Sequence, residues 1–335
     1  MMSIDVQRRH SLWPLTGLIV GIAAAIFPVA AAYARSYALP LSSVLGVYSC
    51  FIGLLFCAIA PGVAAGRALL ERLIGSRFRA LKLCVLLTLP YLYYATGMGA
   101  NPWRGVLRLL AITTPMLIVY SAFPVRKEAR FSIQDLFAAV WLVSIVLFRL
   151  FRGIWDRPTD LDFMARLFVL SLGALCWTHI RCVPDLRYRF IFSRGVFFAA
   201  VKNFVLFAAI AIPLGMAIGF TAWNPRWRGA LDFATGYLEI LLFIALLEEL
   251  FFRGFLQNLL EKSLHSTLWG QVVASCVFGF FHILHKPFPN WRYVILASIA
   301  GWFYGSAYRA GGTVFASAFL HAMVDQVWRT FFTRG

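Results

Sequence analysis

Apolar residues gather into runs of helix length at 12–34, 41–65, 81–100, 105–123, 135–151, 163–181, 196–222, 229–259, 268–285, 292–309 and 312–332, with short polar links between them. A membrane crossing takes roughly 20 such residues. The pattern therefore predicts an all-α fold, a polytopic transmembrane helical bundle of about eleven spans within a range of roughly nine to twelve. The 135–151 run is short for a crossing, and 229–259 is long for an untilted one.

Composition agrees with this reading: 61% of the chain is hydrophobic and only 13% charged, against about one quarter charged in a soluble domain. The formal net charge of +17 would suit nucleic acid if it clustered on one polar domain. It does not, so no nucleic-acid partner is expected. The cations sit in the links, as topology signals do. Arg8 and Arg9 precede the first run, Arg67, Arg72, Arg77, Arg79 and Lys82 fill the second link, Arg126, Lys127 and Arg130 the fourth, and Arg181, Arg187, Arg189 and Arg194 the sixth. Other links are poorer in cations or carry acids, as at Asp156, Asp160 and Asp162. The alternation puts the N-terminus in the cytoplasm of an integral multi-pass membrane protein, expected in a prokaryotic cell (inner) membrane. The first apolar run, followed by Ala32-Tyr33-Ala34, exceeds the h-region of a signal peptide and reads as an uncleaved first helix.

Cys50, Cys57, Cys84, Cys176, Cys182 and Cys276 form no CxxC pair and read as small apolar packing residues. There is no repeat or low-complexity stretch. The polar, basic link 181–195, with Pro184, divides an N-terminal transmembrane region (1–190) from a C-terminal unit (191–335) that carries the unusual residues. Gly301 and Gly305, in GWFYG, predict close helix packing.

Those unusual residues are acids and imidazoles placed where hydrocarbon is expected: Glu248, Glu249 and Arg253 in LLEELFFRG, His282 in FGFFHIL, and His321 with Asp325 in FLHAMVD. An ionisable group at the centre of a span costs about 2.5–3.5 kcal/mol on insertion scales, so these groups are expected to face one another around a polar cavity. Glu249 and Arg253 are four apart on one helix face and can pair. Glu248 points about 100° away and is left as a carboxylate suited to act as a general base on water. His321 and Asp325 again share a face. His285, near the end of its run, reads as interfacial. At a 1.5 Å rise, Glu248 lies roughly 18 Å from Leu260, His282 roughly 21 Å beyond Leu268, and His321 roughly 14 Å beyond Gly312, so all three are expected near mid-membrane depth.

The order Glu-Glu-x-x-x-Arg, Phe-x-x-x-His, His-x-x-x-Asn/Asp resembles the CPBP family of intramembrane proteases, which includes the type II CAAX prenyl endopeptidases and bacterial relatives. The motifs here are Glu248-Glu249 with Arg253, Phe278 with His282, and His321 with Asp325, preceded by YRAGGTVFASAFLH; the resemblance spans about 235–330. The prenyl-protease branch usually has Asn in the last place, where this chain has Asp325. The resemblance implies a CPBP-like catalytic core that works without metal or cofactor on a membrane-associated or lipidated peptide or protein tail. Glu248, aided by His282, would deprotonate the attacking water. His321 would stabilise the oxyanion, Asp325 would orient His321 from behind, and Arg253 would hold Glu249. The alternatives are a zinc peptidase using the glutamate and histidines, although no HExxH occurs, a transporter, to which Arg108, Arg149, Lys202, Asn203 and Glu239 would contribute, and a non-catalytic scaffold of the same fold.

Overall fold

A computed structural model describes residues 12–125, 130–159 and 161–334. Arg8, Arg9, Arg126, Lys127 and Asp160, which entered the sidedness argument, lie outside the described residues. The helices are α1 (Trp13–Ser36), α2 (Leu41–Gly62), α3 (Ala64–Ile74), α4 (Arg79–Gly97), α5 (Pro102–Ala122), α6 (Ile133–Leu147), α7 (Asp162–Ile180), α8 (Arg194–Ala217), α9 (Ala230–Ser263), α10 (Thr267–Phe280), α11 (Trp291–Gly311) and α12 (Val314–Phe331). The described strands are Thr221–Trp223 (β1) and Phe332–Arg334 (β2), paired antiparallel with Ala222 opposite Thr333. The protein is thus an all-α, polytopic bundle.

Eight of the described helices, α1, α2, α4, α5, α7, α8, α9 and α10 with the 3-10 turn that carries it on to Leu284, are long and apolar enough to cross a membrane. The expected eleven is not reproduced. The run at 135–151 makes only the 15-residue α6. The last two runs do form helices of 21 and 18 residues, but polar residues such as His321, Asp325, Gln326 and Arg329 lower the apolarity of α12, and they are there because that helix lines an interior site.

Helix starts follow local capping chemistry. Ser193, Ser266 and Asn290 each accept a backbone N–H of the following turn at α8, α10 and α11. Ser132 and Asp135 form a reciprocal capping box at α6. Asp135 is also fully buried and receives Arg181 Nε at 2.9 Å and Tyr120 Oη at 2.8 Å, which ties α5, α6 and the end of α7 together.

α7 is the most enclosed span. It runs parallel to α9, with Phe163 against Phe243 (centroids 5.4 Å) at one level and Trp177 stacked on Phe255 (4.2 Å) at another. α12 packs among α8, α9 and α11. α1 lies at the edge, with Trp13, Val20, Phe27 and Val29 exposed, as suits a helix facing lipid. The GxxxG expectation holds. A Cβ on Gly301 would lie 3.1 Å from the Ser275 backbone, and one on Gly305 would lie 2.6 Å from Gln257 Oε1, so α11 approaches α9 and α10 as closely as glycine permits.

The link after α7 is no loose tether. Val183, Leu186 and Tyr188 are buried. Tyr188 Oη donates to Ala58 O (2.8 Å) and Phe190 N to Gly62 O (3.2 Å) on α2, while Val314 N, at the start of α12, donates to Arg187 O (2.9 Å). The segment straps the end of α2 to the start of α12.

Candidate active site

α9 presents Glu248 and Glu249 between two stretches of π-helix, Leu241–Ala245 and Leu250–Gln257, local widenings that recur at functional sites. Glu249 is fully buried, and three donors converge on its carboxylate: Arg253 Nε at 3.1 Å, His321 Nδ1 at 2.9 Å, and Ser317 Oγ. A buried charge needs such compensation. Arg253, itself buried, passes on to Gln257 Oε1 (3.2 Å), and Gln257 Nε2 donates to Glu261 (2.8 Å), so residues 249, 253, 257 and 261 form a polar thread at four-residue spacing inside an apolar helix.

α12 supplies Ser317, His321 and Asp325, again four apart on one face. His321 is stacked on Tyr304 of α11 (4.6 Å, 17°) and edged by Phe278 of α10 (5.9 Å). With Glu249 an acceptor, Nδ1 of His321 carries the hydrogen of that bond, and Nε2 is turned the other way. Nε2 lies 4.0 Å from Glu248 Oε2 and 3.5 Å from Asp325 Oδ2. The side chains of Glu248 and Asp325 are 35% and 40% exposed, against 0% for Glu249. Of the paired glutamates, Glu249 is therefore enclosed by protein donors and Glu248 faces open space.

These groups open on one cavity of about 490 Å³, with Glu248, His282, His285, Tyr304, His321 and Asp325 on its polar side and Phe204, Phe207 and Ala211 of α8 on its apolar side. The three motifs meet as expected, and the pairing of Glu249 with Arg253 holds. Three placements differ. Asp325 does not stand behind His321: Glu249 occupies that position, and Asp325 shares the cavity side with Glu248. The reason is the rotation of α12, which buries its Ser317–His321 edge against α9. His282 is not within an α-helix either. α10 ends at Phe280, and His282 lies on the 3-10 turn Phe281–Leu284, its Nδ1 2.9 Å from Phe278 O. His285 is more than interfacial, since its ring stacks on that of His282 (5.5 Å, 14°) and lines the cavity.

Four of the five residues that would contribute to a transport pathway are engaged elsewhere. Glu239 pairs with Arg329 at 3.1 Å, Arg149 with Asp162 at 2.9 Å, Asn203 bonds to Ala199 O in its own helix, and Arg108 caps Leu150 O and Arg152 O. Among the described residues no three His, Cys, Asp or Glu side chains are grouped so as to hold a metal ion. Ser317, Tyr304 and Gln257 were missed from sequence. Four-residue spacing from His321 and from Arg253 was the available signal for Ser317 and Gln257; for Tyr304 there was none.

Fold and site together define an integral multi-pass membrane protein whose interior acids and imidazoles line one cavity. Residues 230–327 match the family described as Rce1-like, type II CAAX prenyl endopeptidase Rce1-like. That segment is thus similar to CAAX protease-like domains of membrane peptidases, as the motif order had indicated. No curated protein and no solved structure matches the chain.

Proposed function

We propose that this protein is an intramembrane endopeptidase that hydrolyses a peptide bond with a glutamate-activated water, on a membrane-associated or lipidated peptide or protein tail. The observation that carries the reading is the placement of Glu248 Oε2 and His321 Nε2 4.0 Å apart on the wall of one cavity. Two groups at that separation can both hydrogen bond to a single water on their cavity side. Glu248 takes a proton from that water as its oxygen attacks the scissile carbonyl, and the proton passes to the departing amine. No acyl-enzyme forms, so no serine or cysteine nucleophile is required.

His321, held by Glu249 and stacked on Tyr304, presents Nε2 to the developing charge when protonated. His282, anchored through Nδ1, offers its other nitrogen to the cavity as a second partner for the water or the carbonyl. Asp325, on the same side as Glu248, stands 3.5 Å from His321 Nε2. Arg253 and Ser317 fix Glu249 and through it the imidazole. The unit 191–335 carries this chemistry, and the protein resides in a prokaryotic cell membrane with its N-terminus cytoplasmic. Prenylated tails are one substrate class that the family name suggests.

The deciding experiment is Glu248→Gln in protein reconstituted into liposomes. Cleavage of a membrane-anchored peptide disappears while insertion and thermal stability are kept. Full activity in that variant would end the proposal.

A further inference from the structure

Tyr304 stands on α11 between Gly301 and Gly305, the glycines that bring this helix against α9 and α10. Its ring is fixed on two sides. One face lies nearly parallel to the His321 imidazole, with centroids 4.6 Å apart and planes 17° apart, and Phe278 meets it edge-on at 5.7 Å. The residue is 1% exposed, yet no described residue hydrogen bonds to its hydroxyl. A buried phenol normally finds a partner for its O–H. Tyr304 forms part of the cavity wall together with Glu248, His321 and Asp325, and the carboxylates of Asp325, Glu249 and Glu248 all act on it. The O–H is therefore directed at whatever the cavity holds.

Hydrolysis creates a need for such a donor. As water adds, its oxygen bonds to the scissile carbonyl carbon, one of its protons goes to Glu248, and the C=O π pair moves onto the carbonyl oxygen, which becomes an anion. Donors aimed at that oxygen lower the barrier. The cavity offers it two carboxylates, Glu248 and Asp325, which when ionised can only accept. His321 Nε2 lies 4.0 Å from the first and 3.5 Å from the second, so both compete for its hydrogen. A phenol keeps its proton at neutral pH, and that of Tyr304 is uncommitted. We infer that Tyr304 is a further catalytic residue, whose hydroxyl donates a hydrogen bond to the scissile carbonyl oxygen and holds it more tightly as the anion forms. The inference rests on the peptidase reading and adds to it a donor that the two carboxylates cannot supply. The position of that donor is set by the close packing of α11, not by any of the charged motifs.

The test is Tyr304→Phe, which removes one oxygen and keeps the ring on His321, in the full chain reconstituted into liposomes. For a membrane-anchored peptide, kcat is expected to fall by about a hundredfold with KM nearly unchanged and the thermal midpoint kept. Two ligands separate catalysis from packing. A peptidyl trifluoromethyl ketone, whose hydrate mimics the tetrahedral adduct, loses affinity by a similar factor in Tyr304→Phe. The intact peptide, whose binding is measured in the Glu248→Gln background, binds as before when Tyr304→Phe is added. A kcat close to the parent's overturns the inference and leaves the peptidase reading standing. So does a fall in affinity that is equal for peptide and ketone, the mark of a merely structural role. A parent protein that neither cleaves the peptide nor binds the ketone more tightly than the peptide ends the peptidase reading, and this inference with it.

Discussion

Ser317 Oγ, His321 Nδ1 and Arg253 Nε fill the acceptor capacity of Glu249 that faces the protein interior. Removing one donor loosens the carboxylate without emptying the site. Ser317→Ala is expected to lower kcat by about tenfold, the effect of one lost hydrogen bond to a charged group, with KM nearly unchanged; steady-state kinetics on one peptide reads both. Arg253→Ala leaves a buried carboxylate without its cation and should cost about 3–5 kcal/mol of stability, seen as a lowered thermal midpoint. The charged members of the site were legible because Glu, Arg, His and Asp are conspicuous in apolar runs. Their pairing was only half legible. Spacing within α9 gives Glu249 to Arg253, but whether Glu249 or Asp325 stands behind His321 depends on how α12 is rotated against α9, which no spacing within either helix encodes. Ser317 and Tyr304 are ordinary residues in membrane helices, and only the partner across the interface makes them special.

At the scale of elements, the close approach of α11 to α9 and α10 puts Gly305 against Gln257, the residue that steadies Arg253. Gly305→Val should overpack this contact at a cost of about 1–3 kcal/mol and reduce activity through the displaced Gln257. Thermal denaturation beside a cleavage assay would register both. Asp135→Ala, far from the cavity, removes the carboxylate on which Arg181 and Tyr120 converge and should destabilise by about 3–5 kcal/mol while leaving kcat per folded molecule as it was. Run boundaries in the sequence anticipate helix boundaries to within a few residues for most elements, since apolar content dictates both. The π stretches of α9 and the unwinding of α10 after Phe280 left no such trace. Bulky rings pack across helices there, as where Phe252 meets Phe278 and Phe281, contacts that no run of apolar residues encodes.

For the whole molecule, membrane class and the C-terminal site followed from composition and motif order, whereas the number of crossings did not. A helix lining a polar interior gives up hydropathy at the positions that make it useful, so α12 looks less like a span than α1 does. Thorough chelation is expected to leave cleavage intact, assayed beside metal analysis of the purified protein; loss of activity restored by zinc alone would favour the metallopeptidase alternative. The strap from Val183 to Phe190 has a mechanical consequence. It is bonded to Ala58 and Gly62 at one side and to Val314 at the other, one turn before Ser317. A bilayer thinner than the apolar length of α2 favours a tilt of that helix and a thicker one an upright pose, and the strap would convey the strain to the root of α12 and so to the imidazole it carries. Lipid acyl length then becomes a throttle on turnover, and proteoliposomes made from short-chain and long-chain phosphatidylcholines should cleave the same peptide at different kcat.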